Sequence, residues 1–130
     1  MNNQEASQAY LAATIENAPP IQIIRLLYQG ALRYLGQADQ LEELRINNDF
    51  TSLLGKVDDI VVELRLALEY GADGKDEVPR NLERLYLFCE DELGRAMVER
   101  SKEPLGNIKR VLELLLDAWR NVEVNSGRAA

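Results

Sequence analysis

The sequence predicts an all-α fold: an antiparallel four-helix bundle preceded by a short N-terminal docking segment. Two observations carry the prediction. Apolar residues recur at the 3.6-residue helical period through four successive stretches. The stretches are divided by short breaks rich in proline, glycine and asparagine. No stretch shows the alternation of a strand, and helices of this length joined by short breaks pack antiparallel.

The first helix is expected from Pro20 to about Arg45. Proline suits a first helical position, where its missing N–H costs little, and Ile24, Leu27, Tyr28, Ala31, Leu35 and Ala38 fall on one face at 100° per residue. Asn47-Asn48-Asp49 breaks the pattern. A second helix is expected from Phe50 to Tyr70, striped by Leu53, Leu54, Val57, Ile60, Val61, Leu64 and Leu68 and stopped by Gly71 as a C-cap glycine. After a polar loop, Gly71–Glu77, Pro79 opens the third, with Leu82, Leu85, Tyr86, Cys89, Leu93, Ala96 and Met97 on one side. Ser101-Lys102-Glu103 is the next break. Pro104 opens the fourth, whose stripe is Leu105, Ile108, Leu112, Leu115, Trp119 and Val122. Residues 1–18 are polar and alanine-rich, with Tyr10, Leu11 and Ile15 as their sizeable apolar side chains. Such a segment is too short to be stably helical alone. The expected organisation is a flexible or docked segment over 1–18, a bundle over 19–124 and a disordered tail over 125–130.

Composition narrows the chemistry. Fifteen Lys and Arg against 22 Asp and Glu leave a net charge of −7, and no basic patch is segregated, which disfavours nucleic acid and anionic membranes as partners. A single cysteine forbids an intrachain disulfide and fits a reducing compartment. The N-terminal residues lack the basic-then-apolar order of a signal peptide, and no apolar run approaches the roughly 18 residues of a membrane span. The expected location is the cytoplasm. There is no histidine, hence none of the commonest general base and metal ligand. Phosphate-binding glycine loops and nucleophile elbows are missing too. Cys89 falls on an apolar stripe, and Asp58-Asp59 and Glu90-Asp91-Glu92 read as solvated helix faces. The expectation is therefore a non-catalytic protein with no catalytic residue, metal site or cofactor.

The helices carry more apolar residues than one stripe requires. The first has a second line through Ile23, Gly30, Tyr34 and Leu41, with Leu26 and Leu44 further round. Gly30 costs about 1 kcal/mol relative to alanine in a helix interior, and one return on that cost is a notch that lets another helix approach. Val62, Leu66 and Tyr70 form such a line on the second helix, Leu87, Gly94 and Val98 on the third, and Leu114 and Ala118 on the fourth. Wide stripes also arise where a helix has several bundle neighbours. Four helices with second lines favour an interface that accepts an amphipathic helix.

Several blocks resemble a known family. Tyr10 stands ten residues before Pro20, within Ala18-Pro19-Pro20, and Leu26-Leu27-Tyr28-Gln29-Gly30-Ala31-Leu32-Arg33-Tyr34-Leu35 follows. Ile60–Arg65, Asn81-Leu82, Leu85-Tyr86, Leu93, Ala96 and Ala118-Trp119 continue the pattern to about residue 122. In this order and spacing they resemble the flagellar secretion chaperone FliS family. Pro19, Gln29 and Met97 depart from its usual Ser or Thr, acidic residue and asparagine.

The resemblance implies a four-helix bundle that binds the C-terminal helical segment of flagellin, prevents premature polymerisation and keeps its client competent for type III secretion. It also implies that the N-terminal segment can occupy part of the client groove, which brings Tyr10 and Ile15 near the site, with the Tyr28–Tyr34 block forming part of its wall. Joined to the residues found by helical geometry, the candidate client-binding set is Tyr10, Ile15, Ile23, Leu27, Gly30, Tyr34, Val62 and Leu66. The flagellar export gate and a flagellar regulator are further candidate partners, and a monomer or weak homodimer is expected. The alternative reading is a helical adaptor or regulator that binds another amphipathic helix.

Overall fold

A computed structural model describes the backbone of residues 20–68 and 77–129 and the side chains of 21–68 and 77–121. Four helices account for most of it: α1 (Pro20–Asp39), α2 (Asn48–Leu66), α3 (Glu77–Glu99) and α4 (Leu105–Ala129). They form an antiparallel bundle in which α1 packs on α2 and α4, and α3 packs on α2 and α4. The diagonal pairs, α1 with α3 and α2 with α4, face each other across the core. The α3–α4 seam is the least extensive of the four.

The expected stripes build the core. Tyr28, Ala31 and Ala38 from α1, Leu54, Val57 and Val61 from α2, Cys89, Leu93 and Ala96 from α3, and Ile108 and Leu112 from α4 are wholly buried. Phe50, at the start of α2, joins them. Burying one Leu or Phe side chain stabilises the fold by about 1.5–3 kcal/mol relative to leaving it exposed. One polar contact crosses this apolar interior: the hydroxyls of Tyr28 on α1 and Tyr86 on α3 hydrogen-bond, their ring centroids 6.4 Å apart. The bond spans the bundle diagonal and satisfies two phenols that burial has removed from water.

Helix boundaries differ from expectation at several places, each for a visible reason. α1 stops at Asp39, six residues early. Its end tightens through i→i+3 bonds, Gln40 N–H to Gln37 O and Leu41 N–H to Ala38 O, both 3.2 Å. The chain then turns through Glu43 in the left-handed region (φ 53°). Leu41 and Leu44, which continue the apolar pattern, pack on the core from this loop instead of from the helix. α2 begins with Asn47 as N-cap, its side chain accepting from the Asp49 N–H at 3.0 Å. It ends at Ala67, which donates to Glu63 O, so Gly71 is not its cap; residues 69–76 lie outside the described ones. α3 starts two residues before Pro79, which still falls in the first turn, where no N–H is needed.

α3 ends in a Schellman motif built without glycine. Arg100 takes the left-handed conformation (φ 53°), and the Ser101 N–H reaches back to Ala96 O at 3.2 Å. A side chain in that conformation costs about 1 kcal/mol or more. The Arg100 guanidinium offsets the strain by bonding Thr51 Oγ1 at 2.9 Å and Leu44 O at 3.4 Å, which fastens the α1–α2 loop to the α3 end. Alongside, Arg95 pairs with Glu92 at 3.0 Å and Glu103 at 2.7 Å, while Asn107 donates to Glu92 at 3.0 Å. α4 runs on to Ala129, past the end of the bundle expected at residue 124.

Candidate functional site

At the end of the bundle opposite the Arg95 and Arg100 contacts, the start of α1, the end of α2, the start of α3 and the later part of α4 converge. The helices do not fill this end. They leave a cavity of about 620 Å³ lined by Ile23 and Ile24, Leu64, Ala67 and Leu68, Val78, Pro79, Leu82 and Tyr86, and Trp119. Every helix contributes, and among the described residues no charged side chain takes part. The polar side-chain groups among the described lining are the Tyr86 hydroxyl and the Trp119 indole N–H. An apolar hollow of this size with one or two polar groups has the make-up of a binding site.

Burial decides the chemistry of the nearby titratable groups. Desolvation pushes the Tyr28 hydroxyl far above the usual phenol range, and the Tyr86 partner adds to this. Tyr86 is raised as well, chiefly by burial. The Cys89 thiol is pushed up to about 12 by burial and secondarily by Glu90 and Glu92, so it stays protonated near neutral pH and is a poor nucleophile. On the outer surface between α2 and α3, Arg65 forks onto Glu90 through bonds of 2.6 and 3.1 Å. Burial, then Glu90 and Asp59, raise the nearby Asp58. Among the described residues no group of three His, Cys, Asp or Glu is placed to hold a metal ion, and no helix is long and apolar enough to cross a membrane.

The residues proposed from sequence do not converge on one surface. Tyr10 and Ile15 lie outside the described residues. Ile23 reaches the cavity. Leu27 is core, 9% exposed. Gly30 is buried, and a Cβ there would stand 3.6 Å from Ile60 Cδ1. Its notch is therefore taken by α2 within the bundle, not left for an outside helix. Tyr34 packs at the α1–α2 seam with the Arg33 guanidinium and the Lys56 ammonium each 5.3 Å from its ring centroid. Val62 is half-buried and Leu66 is 72% exposed.

The second apolar lines thus divide. On α1, Ile23 and Tyr34 pack against the core, and Leu41 does so from the loop that follows. On the other helices Leu66, Leu87, Val98 and Leu114 remain exposed. Sequence reasoning missed the cavity because Leu64, Leu68, Leu82 and Trp119 read as ordinary stripe residues. Trp119, expected in the core, is half-buried at the cavity wall. One available signal was a large aromatic at the end of a stripe whose helix neighbours all terminate nearby.

The profile of the family described as flagellar protein FliS matches residues 1–126. The chain belongs to the FliS family. Two FliS-type relatives are 29% identical to it: the flagellar secretion chaperone FliSB of Pseudomonas aeruginosa over 119 residues, 92% of this chain and 93% of that one, and the flagellar secretion chaperone FliS of Campylobacter jejuni over 129 residues, 96% of each. A crystal structure of a bacterial flagellar chaperone superposes with a TM-score of 0.72 at 25% identity, covering 95% of this chain and 99% of the other. These relatives bear the names of chaperones rather than enzymes. Tyr28, quoted above as part of the FliS-like Leu-Tyr-x-Gly-Ala block, is the buried phenol that crosses the bundle to Tyr86.

Proposed function

We propose that this FliS-family chain is a cytoplasmic export chaperone that holds the C-terminal helical segment of flagellin, covering its apolar faces so that it neither polymerises early nor loses competence for type III secretion. The observation that carries the reading is the apolar cavity at the open end of the bundle, in a family whose relatives are named flagellar secretion chaperones. The mechanism is physical. A disordered segment that folds on binding pays roughly 2–5 kcal/mol or more in ordering and needs on the order of 1,000–3,000 Å² of buried surface to offset it. A client of that reach would extend beyond the cavity, and Leu66, Leu87, Val98 and Leu114 are further exposed apolar side chains on three helices.

Within this proposal Ile23 contacts the client directly from the cavity, and Val62 and Leu66 do so from α2. Leu27, Gly30 and Tyr34 shape the wall from inside the bundle or its seam. Tyr10 and Ile15 belong to the N-terminal segment that competes for the same groove. The flagellar export gate and a flagellar regulator are the further partners, and the free protein is a monomer or weak homodimer. The test is calorimetric titration of the purified chain with a flagellin C-terminal segment, repeated with Ile23→Asp. Saturable binding that Ile23→Asp weakens at least about tenfold (about 1.4 kcal/mol), with the helical circular dichroism retained, is expected. Absence of binding to any flagellin segment would refute the reading.

A further inference from the structure

The Tyr28 and Tyr86 hydroxyls carry two protons and share one hydrogen bond. Whichever donates, one proton is left over, and a buried donor without an acceptor bears its full desolvation cost. Tyr28 has no exposed surface and does not line the cavity, so a surplus proton there would face packed hydrocarbon. Tyr86 lines the cavity. The cheaper arrangement has Tyr28 donating to Tyr86 and Tyr86 directing its own proton into the cavity. The other described side chains around the cavity are hydrocarbon, apart from the Trp119 indole, which can only donate, and supply no acceptor.

We infer that Tyr86 is the hydrogen-bond donor by which the cavity selects its occupant, and that the occupant is an apolar helix end bringing a free backbone carbonyl to the Tyr86 hydroxyl. This rests on the proposed reading that the chain holds a helical segment of flagellin, and it specifies which part of such a segment enters. The walls demand aliphatic or aromatic side chains. An apolar peptide offers acceptors only on its backbone; within a helix each carbonyl already accepts one bond, and only the last four are free. A helix C-terminus is thus the part of an amphipathic client that best satisfies walls and donor together. A continuous helix laid across the mouth would fill the hollow but offer the proton only carbonyls already bonded.

Two isosteric variants separate this role from a structural one. Tyr86→Phe and Tyr28→Phe both remove the diagonal bond, so thermal melts should show a loss of stability in each, the larger in Tyr86→Phe, which strands the wholly buried Tyr28 hydroxyl. Only Tyr86→Phe removes the proton aimed into the cavity. Titrated with a flagellin C-terminal segment, Tyr86→Phe should bind about tenfold more weakly than the unmodified chain, and Tyr28→Phe within about twofold of it. Equal affinities in the two variants, with the unmodified chain binding normally, would overturn the assignment of Tyr86. No binding by the unmodified chain would overturn the flagellin reading on which it stands. In the unmodified chain, nuclear magnetic resonance should show the Tyr86 hydroxyl proton exchanging more slowly once the segment is bound; unchanged exchange would also overturn the assignment.

Discussion

Replacing Gly30 by alanine should make the protein more stable, whereas replacing it by leucine should make it less so. A Cβ at Gly30 would stand 3.6 Å from Ile60 Cδ1, an ordinary van der Waals separation, and nothing else outside its own helix comes within 4 Å. The methyl group therefore enters without displacing α2, and the helix gains the propensity difference of about 1 kcal/mol. For a domain of this size that corresponds to a rise in Tm of about 4 °C. Leucine carries three further carbons beyond the Cβ into space that Ile60 holds. Overpacking of this kind costs about 1–3 kcal/mol, more than the propensity gain returns. Urea titrations followed by circular dichroism at 222 nm would measure both differences. A fully folded Gly30→Leu variant as stable as the unmodified chain would refute the argument, because it would mean that the glycine faces solvent rather than α2.

Other consequences are open to the same kind of measurement. In a double-mutant cycle, Tyr28→Phe or Tyr86→Phe alone should cost about 1–3 kcal/mol by stranding its partner, and the double variant less than the sum; strict additivity would deny that the hydroxyls are coupled. Because the folded Cys89 thiol is held up to about 12, the unfolded chain releases that proton first, from about pH 8.5. Stability is then unaffected at neutral pH and falls as the pH rises from there toward 12, with Tyr28 and Tyr86 steepening the fall from about pH 10. Cys89→Ala should flatten the first part of that decline in alkaline melts. Trp119→Ala removes a half-buried ring at the cavity wall and should cost less than the roughly 3–5 kcal/mol of a core tryptophan, while reducing affinity for a flagellin segment in titration. Leu66→Glu, at a position 72% exposed, should change stability by no more than about 0.5 kcal/mol, and a large loss in the melt would show that Leu66 is covered.

The core was legible because a helical wheel needs only angles. Every wholly buried side chain of α3 and α4 named above lies on a stripe drawn from sequence alone, and so do those of α1. Where a helix stops is a different kind of information. Leu41 and Leu44 keep the helical period, yet they reach the core from a loop after a turn at Glu43; nothing in their spacing distinguishes the two routes. Gly30 shows a second limit. Its angle on α1 departs from the main stripe, but α1 has two bundle neighbours, and the departure points at one of them. The cavity shows a third. Leu64, Leu68, Leu82 and Trp119 are apolar as core residues are, and whether such residues meet or leave a hollow depends on how far the helix ends splay, which no pattern along one helix encodes. The family resemblance anticipated the fold and the chaperone class, while the angles alone found the exposed Leu66 line.

The Arg95 and Arg100 contacts make the bundle behave like a pair of tongs. Both arginines clasp the end where α1 leaves for α2 and α3 leaves for α4, tying loops and helix starts together through Thr51, Leu44 and Glu103, with Glu92 linking Arg95 to Asn107. The jaws lie at the far end, where Ile23, Leu68, Leu82 and Trp119 meet without an ion pair between them. Prising the jaws apart separates hydrocarbon walls, and the Tyr28–Tyr86 bond and the Arg65–Glu90 pair limit how far they part. Under the proposed function, apolar walls of this kind would accept conservative apolar substitutions in the segment they hold.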